Sequence, residues 1–407
     1  MRRAYQLLLR EYLKVFPCVA VIGPRQCGKT TLLKTLPPDW RIYDLERQSD
    51  LRAIERDPDL FLRLNPERVA LDEVQVLPAV FPALRVAIDQ RRRARGRFVI
   101  TGSSSPSLLT AVSESLAGRL GIIEMSPLSF AEVTRTFDSP FFSLLTGRAR
   151  ARDFAGNLAP HGDVRAIHDY WLRGGYPEPW LARSRRRQSL WMDQYARTYL
   201  FRDVARLFPG LKQAKYRLFV QMLAGLSGSI LNCSEVARAL GASQPTVREY
   251  FEIAHGTFVW RKLPPFERDA TKRVVKHPKG YMRDTGILHH LLRITRRDDL
   301  LWHPRSGASW EGLVIEEIIR GLNARGVSFD SYYYRTGAGA EVNLVLEGSF
   351  GLVPIEIKHA SAVGRNDVRG LEEFVRERRC RVGIVVNNAE RPTLYSHRIV
   401  VVPFSHL

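Results

Sequence analysis

Eight consecutive residues, Gly23-Pro24-Arg25-Gln26-Cys27-Gly28-Lys29-Thr30, follow the apolar run Val19-Ala20-Val21-Ile22 and precede a helix-compatible stretch, Thr31 to Leu36. The spacing suits phosphate chemistry. Glycines let successive backbone N–H groups turn inward around an anion, Lys29 adds a mobile positive charge, and the Thr30 hydroxyl can serve Mg²⁺. The helix that follows points its N-terminus at the same anion. Gly23, Pro24, Arg25, Gln26, Cys27, Gly28, Lys29, Thr30 and Thr31 are the candidate nucleotide-binding residues, and Lys29 is also a candidate catalytic group. An exposed basic turn is the bland alternative, but it accounts for neither the strand before nor the helix after.

Two acids complete this chemistry. Arg68-Val69-Ala70-Leu71-Asp72-Glu73 reads as a buried strand ending in carboxylates. Asp72, with Thr30, can hold the water shell of Mg²⁺, and Glu73 can orient the water that attacks a γ-phosphate. Arg97 to Ser103 repeats the strand-then-turn pattern, and Ser103 at its tip suits either a γ-phosphate contact or a plain turn hydroxyl. Arg119, within Glu114 to Gly121, follows the sheet core. An arginine there can stabilise charge on a transferring phosphoryl group, in its own or a neighbouring subunit. Cys27 lies inside the loop within reach of alkylating agents, with no base set beside it by sequence.

These groups need a scaffold that brings strand ends together. Ala4 to Phe16 has helical spacing; Cys18 to Ile22, Arg41 to Asp44, Arg68 to Glu73 and Arg97 to Ser103 read as strands; Asp50 to Asn65 reads as a helix broken by Pro58. The alternation predicts a parallel α/β sheet with ligands outside the carboxyl ends of its strands. From Asp138 to Asp163 turn formers predict a long connection. Helices are predicted over Ile167–Arg173, ahead of the stop Gly174-Gly175-Tyr176-Pro177, and over Trp191–Leu207 and Ala214–Leu226. Ser234–Leu240, the turn Gly241-Ala242-Ser243 and Gln244–Ile253 form a helix-turn-helix pattern that presents Gln244, Thr246 and Arg248 as possible DNA contacts. The same pattern suits a module packed internally as a lid.

The last domain begins near Lys272. Phe329–Arg335 and Ala340–Leu346 read as antiparallel strands around Thr336-Gly337-Ala338-Gly339, followed by strands at Gly351–Lys358, Arg381–Val386 and Arg398–Val402. Helices are predicted at Trp310–Arg320 and Val368–Arg378, giving an α+β module. Alternation sets Glu341 with Asn343 on one face, and Glu356 with Lys358 on one face. Paired acids with a lysine follow the logic of a metal nuclease. Asparagine supplies only a neutral carbonyl where a second anionic ligand is wanted, so ion affinity falls unless Glu341 or Glu311 compensates. Cross-strand ion pairs on a solvated sheet face are the structural alternative.

A chain of 407 residues exceeds one ordinary core. The boundaries read as 1–165, 166–265 and 266–407. The formal charge of +20, from 62 Lys and Arg against 42 Asp and Glu, favours a polyanionic partner, nucleic acid ahead of membrane and DNA ahead of RNA. The basic runs Arg91–Arg97 and Arg183–Arg187 suit phosphates or ordinary solvated faces. Cys18, Cys27, Cys233 and Cys380 have neither metal spacing nor a disulfide pattern. No secretory signal or membrane-length segment is evident, so a cytoplasmic location is expected.

The phosphate loop together with Leu71-Asp72-Glu73-Val74-Gln75, Thr101-Gly102-Ser103-Ser104, Leu116-Ala117-Gly118-Arg119 and Met125-Ser126-Pro127-Leu128-Ser129-Phe130 resembles one family. Gly174-Gly175-Tyr176-Pro177, Tyr199-Leu200-Phe201-Arg202-Asp203-Val204 and Tyr281-Met282-Arg283-Asp284-Thr285-Gly286 extend the resemblance over nearly the whole chain. The family is the bacterial and archaeal ATP-binding proteins that join an AAA-type ATPase domain to the C-terminal domain DUF4143. The resemblance implies ATP and Mg²⁺ as cofactors, an AAA-related P-loop domain, a winged-helix middle segment and a C-terminal domain similar to restriction endonucleases. In that nuclease pattern Glu311 falls in a helix, position 343 at the metal-binding aspartate, and Glu356 with Lys358 in the Glu-x-Lys pair. Asn343 departs from it and puts cleavage in doubt. The expected activity is Mg²⁺-dependent ATP hydrolysis coupled to a nucleic-acid-associated module, against an ATP-gated nuclease or a non-catalytic nucleotide-dependent scaffold. A protein partner and an oligomer are both compatible with it.

Overall fold

Five parallel strands, β1 (Cys18–Gly23), β2 (Arg41–Asp44), β3 (Val69–Asp72), β4 (Phe98–Ser103) and β5 (Leu120–Glu124), form a sheet in the order β2-β3-β4-β1-β5. The computed structural model describes residues 2–103, 116–137, 139–147, 149–208, 210–267, 277–336 and 340–407. They group into two compact units, one drawn from residues 1–128 with Gly256–Phe258 and Asn323–Gly326, the other from Ser129–His255, Val259–Leu322 and Val327–Leu407.

In the first unit β1 is buried along its whole length, as its unbroken apolar run requires of a strand covered on both faces. The edge strand β2, exposed at Arg41 and Ile42 and half-buried at Tyr43 and Asp44, is the least buried strand of this sheet among the described residues. Helices Tyr5–Val15, Gln48–Glu55, Pro58–Leu64 and Val80–Gln90 pack the unit. Pro58 opens the second of the middle pair rather than kinking one long helix, because Asp57 caps it by accepting from the Leu60 N–H at 2.9 Å. β4 lies between β1 and β3, with Cys18 opposite Phe98 on one side and Val69 opposite Phe98 on the other.

The second unit contains two sheets. Strands β6 (Ser229–Ile230), β7 (Trp260–Leu263) and β8 (Lys279–Met282) form an antiparallel sheet in the order β6-β8-β7, adjoining helices Cys233–Leu240 and Gln244–Gly256. The larger sheet has the order β13-β14-β12-β11-β10-β9. Its strands are β9 (Phe329–Arg335), β10 (Glu341–Gly348), β11 (Gly351–Ile357), β12 (Gly383–Asn387), β13 (Thr393–Leu394) and β14 (Ile399–Pro403). β9, β10 and β11 run antiparallel, whereas β11, β12 and β14 run parallel, with helix Arg365–Glu377 as the crossover between β11 and β12.

Three sequence readings need revision. The predicted connection over Asp138–Asp163 carries helices Pro140–Thr146 and Ala151–Asn157, which bury Phe141, Phe142, Leu145 and Phe154. Ser139 and Pro140 are an N-cap and first helical residue rather than turn formers. The single helix expected over Trp191–Leu207 is α-helical over Arg185–Tyr195, π-helical over Ala196–Asp203 and α-helical again over Val204–Leu207. Tyr199, Leu200 and Phe201 are all buried in that π segment, so three successive side chains reach the core. Helix Trp310–Arg320 extends to Ser306–Asn323 and is buried nearly throughout, including Glu316, Glu317 and Arg320. The predicted domain start at Lys272, Asp138 and the turn residues Gly337, Ala338 and Gly339 lie outside the described residues.

Candidate nucleotide-binding site

The loop between β1 and helix Lys29–Leu33 is shaped by backbone demands that its sequence meets. At Gly23 a Cβ would stand 2.1 Å from the Met125 carbonyl oxygen, where the chain leaving β5 passes. Gly28 has φ 103°, a left-handed conformation costly for any residue with a Cβ. Lys29 is only 3 % exposed, and its ammonium donates to the carbonyls of Gly23 (3.2 Å) and Pro24 (3.1 Å). Thr30 and Thr31 stand at the start of the helix, Gln26 is exposed, and half-exposed Arg25 pairs with Glu46 at 3.4 Å. Cys27 is fully buried, and burial pushes its thiol above the ordinary value. This overturns the expectation that alkylating agents reach it.

The acids stand at the carboxyl ends of the neighbouring strands. Asp72 is buried and accepts a hydrogen bond from the Thr101 hydroxyl of β4. Glu73 follows in a left-handed conformation, φ 54°, and its N–H donates to the same Thr101 oxygen at 3.2 Å. Thr101 therefore fixes both acids at once. The Glu73 carboxylate receives Gln75 Nε2 on Oε2, and its Oε1 lies 3.9 Å from the Lys29 ammonium. Burial, and after it Glu73, Asp44 and Asp72, push the Glu46 carboxyl up against the pull of Arg25. The residues fit a nucleotide: a buried ammonium turned onto loop carbonyls, glycines where side chains have no room, and a carboxylate facing that ammonium. Mg²⁺ at such sites takes one or two protein ligands and completes its shell with phosphate and water. Accordingly, among the described residues no group of three His, Cys, Asp or Glu is set to hold a metal by itself.

Sequence reasoning missed Thr101 and Arg3. Arg3 is 4 % exposed, and its guanidinium donates to the carbonyls of Cys27 (2.5 Å) and Ser126 (2.6 Å), bracing the loop from behind. The polar Thr101 after the apolar run Val99-Ile100 was the available signal; for Arg3 there was none. The Ser103 side chain lies outside the described residues. Arg119 directly precedes β5, whose Leu120 pairs with Cys18 at the amino end of β1. The phosphate loop leaves the other end, about 17 Å away at about 3.3 Å per residue. Arg119 is held there by Asp89 through contacts of 2.8 and 2.9 Å, which keep that carboxyl below its usual range. In this structure Arg119 is thus held at the end of the sheet away from its own chain's loop.

The C-terminal candidates do converge. Glu311 Oε1 accepts from Asn343 Nδ2 at 2.5 Å, and Asn343 Oδ1 accepts from the Ile357 N–H at 2.7 Å. Asn343 lies where β10 slips register against β9, between Val342 and Val345, a bulge that re-aims side chains. Lys358 pairs with Glu356 at 3.2 Å and with Asp367 at 3.5 Å. Lys279, unforeseen from the sequence, reaches both Glu311 and Glu341 at 2.7 Å. A divalent cation does not fit between Glu311 and Glu341, because the Lys279 ammonium and the Asn343 amide already occupy the facing oxygens, although Glu356 Oε2 is buried with no hydrogen-bond partner. In the helix-turn-helix, Gln244 and Arg248 are exposed, with Gln244 Nε2 donating to Ser234 at 2.9 Å, while the Thr246 hydroxyl bonds Ser243 at 2.8 Å. In the run Arg91–Arg97, Arg91 pairs with Glu67 and Arg97 is buried on the carbonyls of Pro66 and Ala87, so part of it is structural.

A buried phosphate loop and a paired acid terminus, separated by one inserted strand in an all-parallel sheet, define a P-loop nucleotide-binding protein of AAA type. Family models agree: an AAA domain matches residues 15–134, a domain of unknown function (DUF8612) residues 164–298, and another (DUF4143) residues 306–407. Uncharacterized proteins of Mycobacterium bovis and Mycobacterium tuberculosis are each 36% identical to this chain over 363 residues, covering 88% of it and 74% of theirs. The chain belongs to the AAA-type ATP-binding family that carries a C-terminal DUF4143 domain. Among solved structures it is similar to a Walker-type ATPase of Pyrococcus abyssi (15% identity, TM-score 0.42, 72% of this chain and 95% of that one). It is also similar to a point variant of Thermotoga maritima RuvB (17% identity, TM-score 0.29, 64% and 89%).

Proposed function

We propose that the chain is a Mg²⁺-dependent ATPase whose nucleotide state sets the conformation of a nucleic-acid-associated module, with residues 1–165, 166–265 and 266–407 as its working parts. The observation that carries this reading is the meeting of the Lys29 ammonium with the Glu73 carboxylate beside Asp72, all three fixed by backbone and by Thr101. ATP with Mg²⁺ supplies the scissile phosphoanhydride. Lys29 and the loop N–H groups hold phosphate charge, Thr30 and Asp72 hold the metal's inner and water shells, and Glu73 orients water.

The nucleic-acid part rests on charge and exposed surface. Arg248 and Gln244 stand exposed on the second helix of the helix-turn-helix, and β6, β7 and β8 beside it give the outline of a winged helix. A cavity of about 570 Å³ in the second unit is lined by Arg173, Arg183, Arg185, Arg186 and Arg296, with Asp169 the single acid among its described lining residues. Such a lining suits a phosphate chain.

The test is steady-state ATP hydrolysis with Mg²⁺, with and without single- and double-stranded DNA. Lys29→Ala is expected to abolish nucleotide binding, and Glu73→Gln to keep binding while slowing turnover by about 10²-fold or more. Turnover in Glu73→Gln equal to the parent would overturn the proposal. ATP binding without turnover, DNA present or absent, would leave a nucleotide-dependent scaffold.

A further inference from the structure

The centre around Glu311 has the shape of a metal site and the contents of something else. Lys279 arrives from β8, the middle strand of the small sheet, not from the elements that carry the acids. Its ammonium is 2.7 Å from Glu311 Oε1 and 2.7 Å from Glu341 Oε1. Tyr281, two residues on and so on the same face of β8, donates its hydroxyl to Glu311 Oε1 at 2.7 Å. With Asn343 Nδ2 as the third donor, that oxygen has more donors than lone pairs and none left for a cation.

Each ammonium is matched by two acids. Lys279 faces Glu311 and Glu341, and Lys358 faces Glu356 and Asp367. The position of Lys279 is also rigid. The next residue, Gly280, has no room for a Cβ, which would lie 2.2 Å from the Trp260 ring, so β8 is pressed flat onto its neighbour.

We propose that Lys279 takes the place of the divalent cation in this centre, so that the C-terminal domain holds no metal there and cleaves no phosphodiester. The ammonium instead ties the small sheet to Glu341 of the large one and to Glu311 on helix Ser306–Asn323. The inference is independent of the ATPase reading, which concerns the other unit.

The test is Mn²⁺ binding to nucleotide-free full-length protein, followed by the electron paramagnetic resonance of the free ion. Parent and Glu311→Gln should bind the same number of ions. Lys279→Met, which keeps an apolar stem and loses the charge, should gain one ion per chain, and Lys279→Met with Glu311→Gln should lose it again. A parent that loses an ion on Glu311→Gln, or a cooperatively melting Lys279→Met that gains none, would overturn the proposal. Should Lys279→Met fail to fold, the parent against Glu311→Gln decides alone. A nuclease assay with Mn²⁺ on single- and double-stranded DNA and RNA gives a second readout: no cutting by the parent is expected, and cutting abolished by Lys358→Ala would refute it.

Discussion

Thr101 holds Asp72 and Glu73 through one oxygen, so its hydroxyl matters more than its size. Thr101→Val keeps the shape and removes the donor to Asp72 and the acceptor for the Glu73 N–H. Buried hydrogen bonds to charged groups are worth about 1.5–3 kcal/mol, and a loss of that order in stability is expected. ATP hydrolysis should fall by about tenfold or more, with nucleotide affinity nearly unchanged, because the phosphate-holding loop is untouched. A kcat and KM comparison separates the two effects. Cysteine reactivity gives a second prediction at this scale. Cys18, Cys27 and Cys380 are buried, and burial lifts Cys18 to about 12 and Cys380 to about 11. Cys233 is partly exposed, so native iodoacetamide labelling read by mass spectrometry should mark it first and leave Cys27 unmodified until the protein unfolds. The phosphate loop was legible in the sequence because its chemistry is contiguous, eight residues in one turn. Thr101, Arg3 and Lys279 were not, since each acts across a gap of 24 residues or more that only the fold closes.

At the level of elements, helix Ser306–Asn323 buries Glu316 against two arginines, Arg261 and Arg283. Burial raises the Glu316 carboxyl, but those guanidiniums dominate and bring it to about 2, from 4.5 in the unfolded chain. A depressed folded value means stability that is complete above about pH 4.5 and is lost as the pH falls from there toward about 2, roughly 3 kcal/mol in all. Glu316→Gln should therefore melt lower at neutral pH and lose much of the parent's Tm decline across that acid window. Thermal melts at stepped pH check both. Gly23→Ala is the matching test of the loop: its methyl meets the Met125 carbonyl at 2.1 Å, so β1 and the chain after β5 must separate. Weak nucleotide binding together with a lowered Tm is expected. Helix and strand positions were readable from periodicity, as β2, β9 and the helix-turn-helix pair show. The helices within 138–163 were hidden because Ser, Pro and Gly look alike as caps and as turns. The π segment follows from which side chains the core accepts, a tertiary matter.

For the whole molecule, the net charge of +20 predicts nucleic-acid affinity that falls steeply with salt. Each phosphate contact contributes about 0.9 to the slope of log K against log salt for duplex DNA. Replacing Arg183, Arg185 and Arg186 together with alanine should lower that slope by about 2 to 3, measured by fluorescence anisotropy over a salt series. An unchanged slope would move the contact surface elsewhere, with Arg248 the next candidate. The order of the parallel sheet was not legible in the sequence, because alternation gives strands and helices but not which strand lies beside which; nor was β5, whose parallel run along β1 sets Arg119 at the end away from the loop. That order also governs how a reaction at the strand ends is felt. β4 stands between the strand that carries the loop and the strand that carries the acids, so β1 and β3 are not paired with each other. A change in the gap between Lys29 and Glu73 that moves their strands shears two ladders rather than slipping one, and the interposed strand bears both strains. Its amides should accordingly be those whose deuterium exchange differs most between the ATP-bound and ADP-bound protein.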